Sequence, residues 1–382
     1  MVMDIFTLKS QQRPGNANII EYVPNQTVNN WNSLIWTERY NDFGEFKMTH
    51  QDPKYVWGLM PPGTLVGCNA SNEVMLVENH ETKFSVDRGP VVEISGRSIL
   101  AILNHRIVCH EYRFYNDKIN STFKSADEIG RKLNVYNIGS YIAELINNYG
   151  ATRGGHIHND TAAELPIKAY NEINSTPTIK DHNENPGILW DHIRKLLSDY
   201  HYGVRVDRVH TRATRNESNL FAITVFEGRD LSKSVIFSED NNTLVSTSRL
   251  RSIKNYYNKL WVVRNDRIST FEEYPVIDGV RYTVTGFDYR VGYLQASDSK
   301  LGDYGLLADR AKIFFLEHQN KDILSGEVAP SNVYEYRRDY YIGDKVAFKS
   351  QDGSLTNMWV KEFIYSEDEN GFKQYPTFES EQ

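Results

Sequence analysis

Histidines and carboxylates carry the most suggestive spacing in this chain. His156-Ile157-His158 sets two imidazoles at i and i+2, which face the same way on an extended segment, and zinc takes such a pair together with a carboxylate. His318 and Asp322 add the HxxxD spacing that a zinc peptidase combines with an HxH. Here the two motifs stand in reverse chain order, the HxH lies in the least patterned stretch, and His318 ends a helical pattern. The expectation is solvated loop histidines and no metal. Asp181-His182-Asn183-Glu184 offers oxygen ligands but lacks the Asp-x-Asp-x-Asp-Gly period of a calcium loop, so it reads as a surface turn. Glu38 and Glu45 stand across a hairpin pattern, but paired catalytic carboxylates need a cleft and a raised pKa on one partner. They read instead as exposed charges paired with Arg39 or Lys47. Cys109 and His110 are adjacent, which on a strand sends them to opposite faces and prevents a dyad. Residues 205–215 are basic, yet alternate with Val204 and Val206 and lack stacking aromatics, so they read as the wet side of a strand. No nucleophile elbow, phosphate loop or dinucleotide fingerprint occurs. The residues predict no catalytic group, no cofactor and no metal.

The element best defined by its pattern spans residues 31–50, WNSLIWTERYNDFGEFKMTH. Leu34, Trp36 and Tyr40 share one parity, and Phe46 and Met48 repeat the alternation. Between them Asn41-Asp42-Phe43-Gly44 supplies side chains that bond their own backbone and a glycine open to positive φ. This predicts a β-hairpin with Trp36 and Phe46 inward and the Thr-Glu-Arg series outward. Later segments are expected to return and complete its sheet.

Residues 3–9 and 18–23 read as the first two strands, and 64–66, 73–77 and 90–95 as later ones, about seven short strands in all. Ser95 or Ser98 then caps a helical turn carrying Ile99, Leu100, Ile102 and Leu103. Helical spacing follows over 126–133 and 138–149, the second ending at Gly150. Residues 150–186 are polar and aperiodic, an exposed excursion. A helix is predicted over 187–200, then strands at 203–209, 220–226, 234–238, 244–251 and 259–264. A hairpin turns at Asp278-Gly279, a helix spans 306–318, and strands at 340–349 and 358–366 close the chain, with Ile342-Gly343-Asp344 as a turn or bulge. The fold class is mixed and mainly β (α+β), with two small β-barrel-like domains. The expected parts are a first β-barrel-like domain, 1–95; a helical, loop-rich insertion, 96–203; a second β domain, 204–300; and a helix with returning strands, 301–382.

The bulk properties agree with a soluble globular protein: 24% charged and 40% hydrophobic residues among 382. A net charge of −7 argues against coating nucleic acid but suits a channel wall that repels passing phosphates. Cys68 and Cys109 have no metal or redox spacing and are expected reduced and buried. The N-terminus lacks a signal-peptide pattern, so maturation in a cytoplasm without membrane insertion is expected. The 24 Tyr and 17 Phe favour strands and large protein interfaces.

Four blocks then carry a resemblance: residues 33–46 (SLIWTERYNDFGEF), 74–78 (VMLVE), 93–103 (EISGRSILAIL) and 339–346 (DYYIGDKV). In that order they resemble the tail-hub protein of long-tailed bacteriophages, the hub part of tail-associated lysins. The resemblance spans nearly the whole chain and implies a baseplate-hub-like fold and a homotrimer at the virion tail tip, assembled in the host cytoplasm. Two similar barrels per chain would give a ring of six that adapts a sixfold tube to a threefold tip. Implied partners are the distal tail protein ring, the tape measure protein and tail-tip or receptor-binding fibre proteins, with DNA only as passing cargo. Trp36, Arg39, Tyr40, Phe46, Gly96, Arg97 and Asp344 become the expected core or ring-assembly positions. Many relatives continue into a C-terminal lytic or fibre-like domain where this chain stops at Gln382, so a structural hub is expected, ahead of a tail-associated zinc peptidase or a host-glycan-binding tip protein.

Overall fold

The computed structural model describes residues 3–13, 16–85, 89–108, 131–151, 165–174, 177–184, 187–208, 221–238, 240, 243–264, 267–274, 276–277, 280–295, 304–318, 321–328, 333–349 and 355–380. The chain divides into two compact units, one joining Met1–Thr247 to Ser325–Glu381 and the other Ser248–Leu324.

Unit one begins with an antiparallel pair, β1 (Ile5–Arg13) and β2 (Asn16–Val28). The predicted hairpin follows as β3 (Trp31–Arg39) and β4 (Glu45–His50), with Trp36 opposite Phe46. Its alternation has the predicted effect: Leu34, Trp36, Tyr40, Phe46 and Met48 are all buried. Asp42 turns the chain by accepting the Phe43 N–H at 2.9 Å. Helix α1 (Pro53–Leu59) is capped by Asp52, which accepts the Tyr55 N–H at 2.9 Å. Then β5 (Leu65–Cys68), β6 (Ser71–Ser85) and β7 (Gly89–Ser98) extend the antiparallel order β4-β7-β6-β5-β1-β2.

Ser98 accepts the Leu100 N–H and opens a 3-10 turn, Ile99–His105, where the sequence predicts a helical turn. The segment beyond forms a second core. A pair of two-residue strands, β8 (Ile107–Val108) and β12 (Gly187–Ile188), holds its ends together, and β9 (Arg131–Val135) pairs with β11 (Ile179–Glu184). Strand β10 (Ile167–Asn171) runs parallel to β14 (Phe221–Glu227), which also pairs antiparallel with β13 (Tyr202–Asp207). Helix α2 (Ile138–Leu145), capped by Asn137, continues as a π-helical turn, Ile146–Ala151. With α3 (Leu189–Asp199) it buries Ile142, Ile146, Ile193 and Leu197 in one core with Ile223 and Val225 of β14.

Three expectations are corrected here. Residues 131–135 are a strand, not the end of a helix, and 126–130 lie outside the described residues. The polar stretch 150–186 contributes β10 and β11 and buries Ile167, Ala169 and Ile173; two apolar residues at strand spacing are too short a pattern to stand out against polar flanks. The helix expected from 187 starts at Leu189 because Gly187 and Ile188 are paired with β8.

After β15 (Ile236–Ser238) and β16 (Leu244–Ser252), unit two forms around β17 (Lys259–Arg264), which pairs antiparallel with β18 (Arg267–Glu272) and parallel with β21 (Val291–Gln295). The hairpin expected around 278–279 is β19 (Val276–Ile277) with β20 (Val280–Arg281). Helix α4 (Tyr304–Glu317) brings Leu307, Ala311 and Phe315 against Leu260 and Val262 of β17.

The chain then returns through β22 (Lys321–Val328), β23 (Lys345–Lys349), β24 (Leu355–Asp368) and β25 (Gly371–Ser380). Strand β24 changes partner along its length. Its first half, from Leu355 to Trp359, pairs with β23. Beyond an irregularity between Val360 and Glu362, residues 362–367 pair with β3, placing Tyr365 opposite Trp36. The hairpin's sheet is thus completed from the far end of the chain, as expected. Strand β25 is absent from the predicted set because Pro376 interrupts its pattern.

The protein is mainly β and α+β in class. Among the described residues no sheet closes into a barrel; the longest path runs open from β16 to β2. Among them, too, no helix is long and apolar enough to cross a membrane. Trp36 lies at the centre, its ring 5.8 Å from that of Phe46. Trp36→Ala is expected to lower the unfolding free energy of unit one by roughly 3–5 kcal/mol. Chemical denaturation reads this, and an unchanged midpoint would remove the ring from the core.

Candidate functional site

The inward parity of β3 does not stop at Trp36; it continues through Glu38 and Tyr40. Each of these polar side chains organises a buried node. Glu38 is 2% exposed. Its Oε2 accepts the Tyr336 hydroxyl at 2.7 Å, and its Oε1 accepts from the Ser71 hydroxyl and from Nη2 of Arg337. The same Nη2 reaches Ser71 Oγ at 3.3 Å. Arg337 adopts φ +71°, a left-handed conformation uncommon outside glycine, and its N–H donates to Tyr340 O at 2.8 Å. Tyr336 stacks on Phe363 of β24, with 3.7 Å between ring centroids, and on Tyr341 at 5.3 Å. A carboxylate near the N-terminus is therefore held by donors 298 and 299 positions later.

Glu73 lies buried beside this node. Burial, and after it the charge of Glu38, push its carboxyl up to about 8, against the lowering effect of the Ser98 hydroxyl and the Gly44 N–H. Gly44 has no alternative there, since a Cβ would stand 2.3 Å from Thr37 O and 2.6 Å from a Glu73 oxygen. Burial opposes the charge on Arg337, but Glu38 outweighs it and the guanidinium is held more firmly protonated than usual. Burial also pushes the free Cys68 thiol up to about 12, which makes it a packing group rather than a nucleophile. Cys109 lies outside the described residues.

Tyr40 builds the second node. Its hydroxyl donates to His201 O at 2.5 Å and accepts the Gly228 N–H at 3.2 Å. A Cβ on Gly203 or Gly343 would come within 2.1 or 2.0 Å of its ring, so two glycines make the slot that the ring fills. Next to Gly343, at φ +84°, Asp344 accepts the N–H groups of Arg229 at 2.8 Å and Tyr341 at 2.9 Å and pairs with the Arg229 guanidinium at 2.5 Å. The expected turn at Ile342-Gly343-Asp344 is where this network closes.

The other expected positions fall into two places. Phe46 is in the core with Trp36, and Gly96 lies opposite it in register, where a Cβ would meet Leu76 O at 1.8 Å and the Phe46 ring at 2.9 Å. Arg39 and Arg97 lie on the outer face of the sheet. Arg39 bridges Glu45 at 2.5 Å and Glu362 at 2.6 Å, linking β4 to β24. Arg97 pairs with both oxygens of Glu78 at 2.6 Å and lies over the Phe43 ring. These pairs border a shallow groove of about 600 Å³ across Ile35, Lys47 and Ser95.

Three expectations fail here. Glu38 is a buried ion-pair partner rather than an exposed charge, although its parity with Leu34, Trp36 and Tyr40 was the available signal. Glu38 and Glu45 therefore face opposite sides of the sheet and cannot flank one bond. The Asp181–Glu184 segment is strand rather than surface turn, and Glu184 is buried, accepting the Tyr141 and Tyr149 hydroxyls at 2.7 and 2.8 Å. His156 and His158 lie outside the described residues. His318 stacks on Phe314 at 4.1 Å, and among the described residues no three potential ligands gather around a metal position. Arg205, expected on the wet side of a strand, is instead mostly buried: it pairs with Glu172 and Asp207 and lies over the buried Phe226 ring, while 209–215 lie outside the described residues. The donors and acceptors of the two nodes bind one another across the sequence, an arrangement suited to holding shape.

No family model matches the chain, and no curated protein matches it in sequence. Among solved structures, the fold is similar to that of a 43 kDa prophage tail protein from Shewanella oneidensis: 11% identity, a TM-score of 0.52, and 98% of this chain against 97% of that one. It is also similar to a tail protein from Neisseria meningitidis, at 10% identity and a TM-score of 0.53 over 100% and 97% of the two chains. At such identities the likeness is one of fold, and it runs end to end. Both are tail proteins by name, in agreement with the resemblance carried by the four blocks.

Breaking the buried pair from one side, by Glu38→Ala or Arg337→Met, is expected to cost roughly 3–5 kcal/mol in denaturation, with the double variant losing less than the sum. Strict additivity would mean that the two groups do not interact. Glu73 gives a pH signature. Its folded pKa is raised, so the folded state binds the extra proton, and stability falls as pH rises from the ordinary carboxylate range through about 8. The expected slope from this group approaches roughly 1.4 kcal/mol per pH unit within that window. Glu73→Gln should flatten it; an equal slope in the variant would contradict the assignment.

Proposed function

We propose that this chain is a structural hub at the distal end of a bacteriophage tail. In this reading three copies form a ring that adapts the sixfold tail tube to a threefold tip. The ring closes or lines the DNA channel and anchors tip or fibre proteins beneath the distal tail ring and the tape measure protein. The observation that carries the reading is the end-to-end likeness of fold to two tail proteins.

The residues support a mechanical role. The Glu38 and Tyr40 nodes stiffen the sheet that a ring would be built from, while the outer face of β3, β4 and β7 presents half-exposed ion pairs around Arg39 and Arg97. Such pairs contribute register and specificity between subunits more than affinity. The net charge of −7 suits a wall past which DNA slides without sticking. Opening for genome passage would be a change between two subunit packings, with no bond made or broken. The protein would act at the tail tip after assembly in the host cytoplasm.

Light scattering on the purified chain tests this. The expected result is a stable particle of three 44.2 kDa chains. A clean monomer at high concentration would overturn the hub reading.

A further inference from the structure

His50 ends β4 at a point where three segments of unit one meet, and it is 4% exposed. Strand β2 lies at one end of the sheet path and β3 lies inside it, so the chain crosses over at Asn29 and Asn30. Asn30 makes the corner in the left-handed region, at φ +62°. Helix α1 starts at Pro53, shortly after His50, packs on β2 and β7, and buries Val56; Met60 just beyond it is buried too.

The imidazole ties the crossover to the helix. The Asp52 N–H donates to its Nδ1 at 2.8 Å, and its Nε2 stands 3.0 Å from Asn29 O. A backbone N–H can only donate, so Nδ1 is bare, and the ring proton sits on Nε2 and is donated to the Asn29 carbonyl. Neutral imidazole has one donor and one acceptor, and here both are in use.

We infer that His50 is an acid-sensitive latch, which holds α1 and the Asn29–Asn30 crossover together only while its imidazole is neutral. A second proton on Nδ1 would point at the Asp52 N–H, so protonation and the latched geometry exclude each other. The register neighbours of His50 are uncharged: Trp31 on β3 and Val92 on β7. The titratable groups around it are Asp52, the exposed Lys54 and Tyr55 at the start of α1, with the Tyr55 ring 5.4 Å from the imidazole. The Asp52 carboxylate favours an imidazolium, but its Oδ1 accepts the Tyr55 N–H, and its charge does not restore the displaced backbone bond. Further along α1, Trp57 stands edge-on to His80 of β6 at 5.0 Å, and burial holds His80 below the usual imidazole range.

An unlatched, solvated imidazole takes up its proton around pH 6.5. The latch is therefore fully closed above that range, and each pH unit below it favours the open form about tenfold. Opening bares Val56 and Met60. The latch lies within unit one and does not depend on the hub reading, since segment opening and particle mass are measured separately.

Hydrogen exchange on the full chain tests this, read by mass spectrometry over residues 51–60 and corrected for the intrinsic effect of pH. Between about pH 7.5 and about pH 5.5 the protection of this segment is expected to fall about tenfold, while the strands around Trp36 and Phe46 stay protected. His50→Gln keeps a donor and an acceptor but takes up no proton, so its protection should be the same at both pH values. His80→Gln should respond to pH as the natural chain does. Unchanged protection of the natural chain on acidification overturns the inference. So does a pH response that survives in His50→Gln or disappears in His80→Gln. The natural chain and His80→Gln decide the matter even if His50→Gln does not fold.

Discussion

A carboxylate buried in a protein interior is tolerable only when donors meet it, and Glu38 meets its donors from the opposite end of the chain. Ser71 is near in sequence, but Arg337 and Tyr336 arrive only when the C-terminal segment docks along β3. The two termini consequently fold as one sheet: β24 pairs with β3, Tyr336 stacks on Phe363, and the Arg39–Glu362 bridge fixes the same seam from the outer face. Contacts of such sequence separation are slow to form and, once made, hard to undo piecemeal.

The four blocks that carry the family resemblance gather around this seam. The first contributes Glu38, Tyr40 and Phe43. The second contributes Glu78 and the third Arg97, whose pairing places a guanidinium over Phe43. The fourth supplies Gly343 and Asp344, which make the slot for Tyr40 and bind Arg229. Blocks that look independent along the chain are thus parts of one device. In this device polar groups are locked in place and both chain ends are tied into one sheet.

Local pattern places some of these elements and not others. The hairpin announced itself because alternation and turn chemistry agree within twenty residues. Glu38 could have been placed by parity alone; its charge argued for solvent, and parity was the better guide because a partner existed nearly 300 residues away. That partner could not be foreseen, since nothing near Arg337 marks its left-handed backbone or its target. The short strands β10 and β11 hid for another reason: their burial depends on packing against β14 and α2, and polar neighbours dilute a pattern of two or three apolar positions. Strand β25 was concealed by Pro376, and the π-helical turn after α2 by a helical period that it nearly shares.

We propose that this end-tied sheet serves as the threefold element at the tip of a phage tail. Electron cryomicroscopy of intact tails that contain this protein tests it most directly. Three copies are expected around the tail axis at the distal end, with the strands of unit one forming the ring. Density for the chain along the tube, or in any number other than three at the tip, would contradict it.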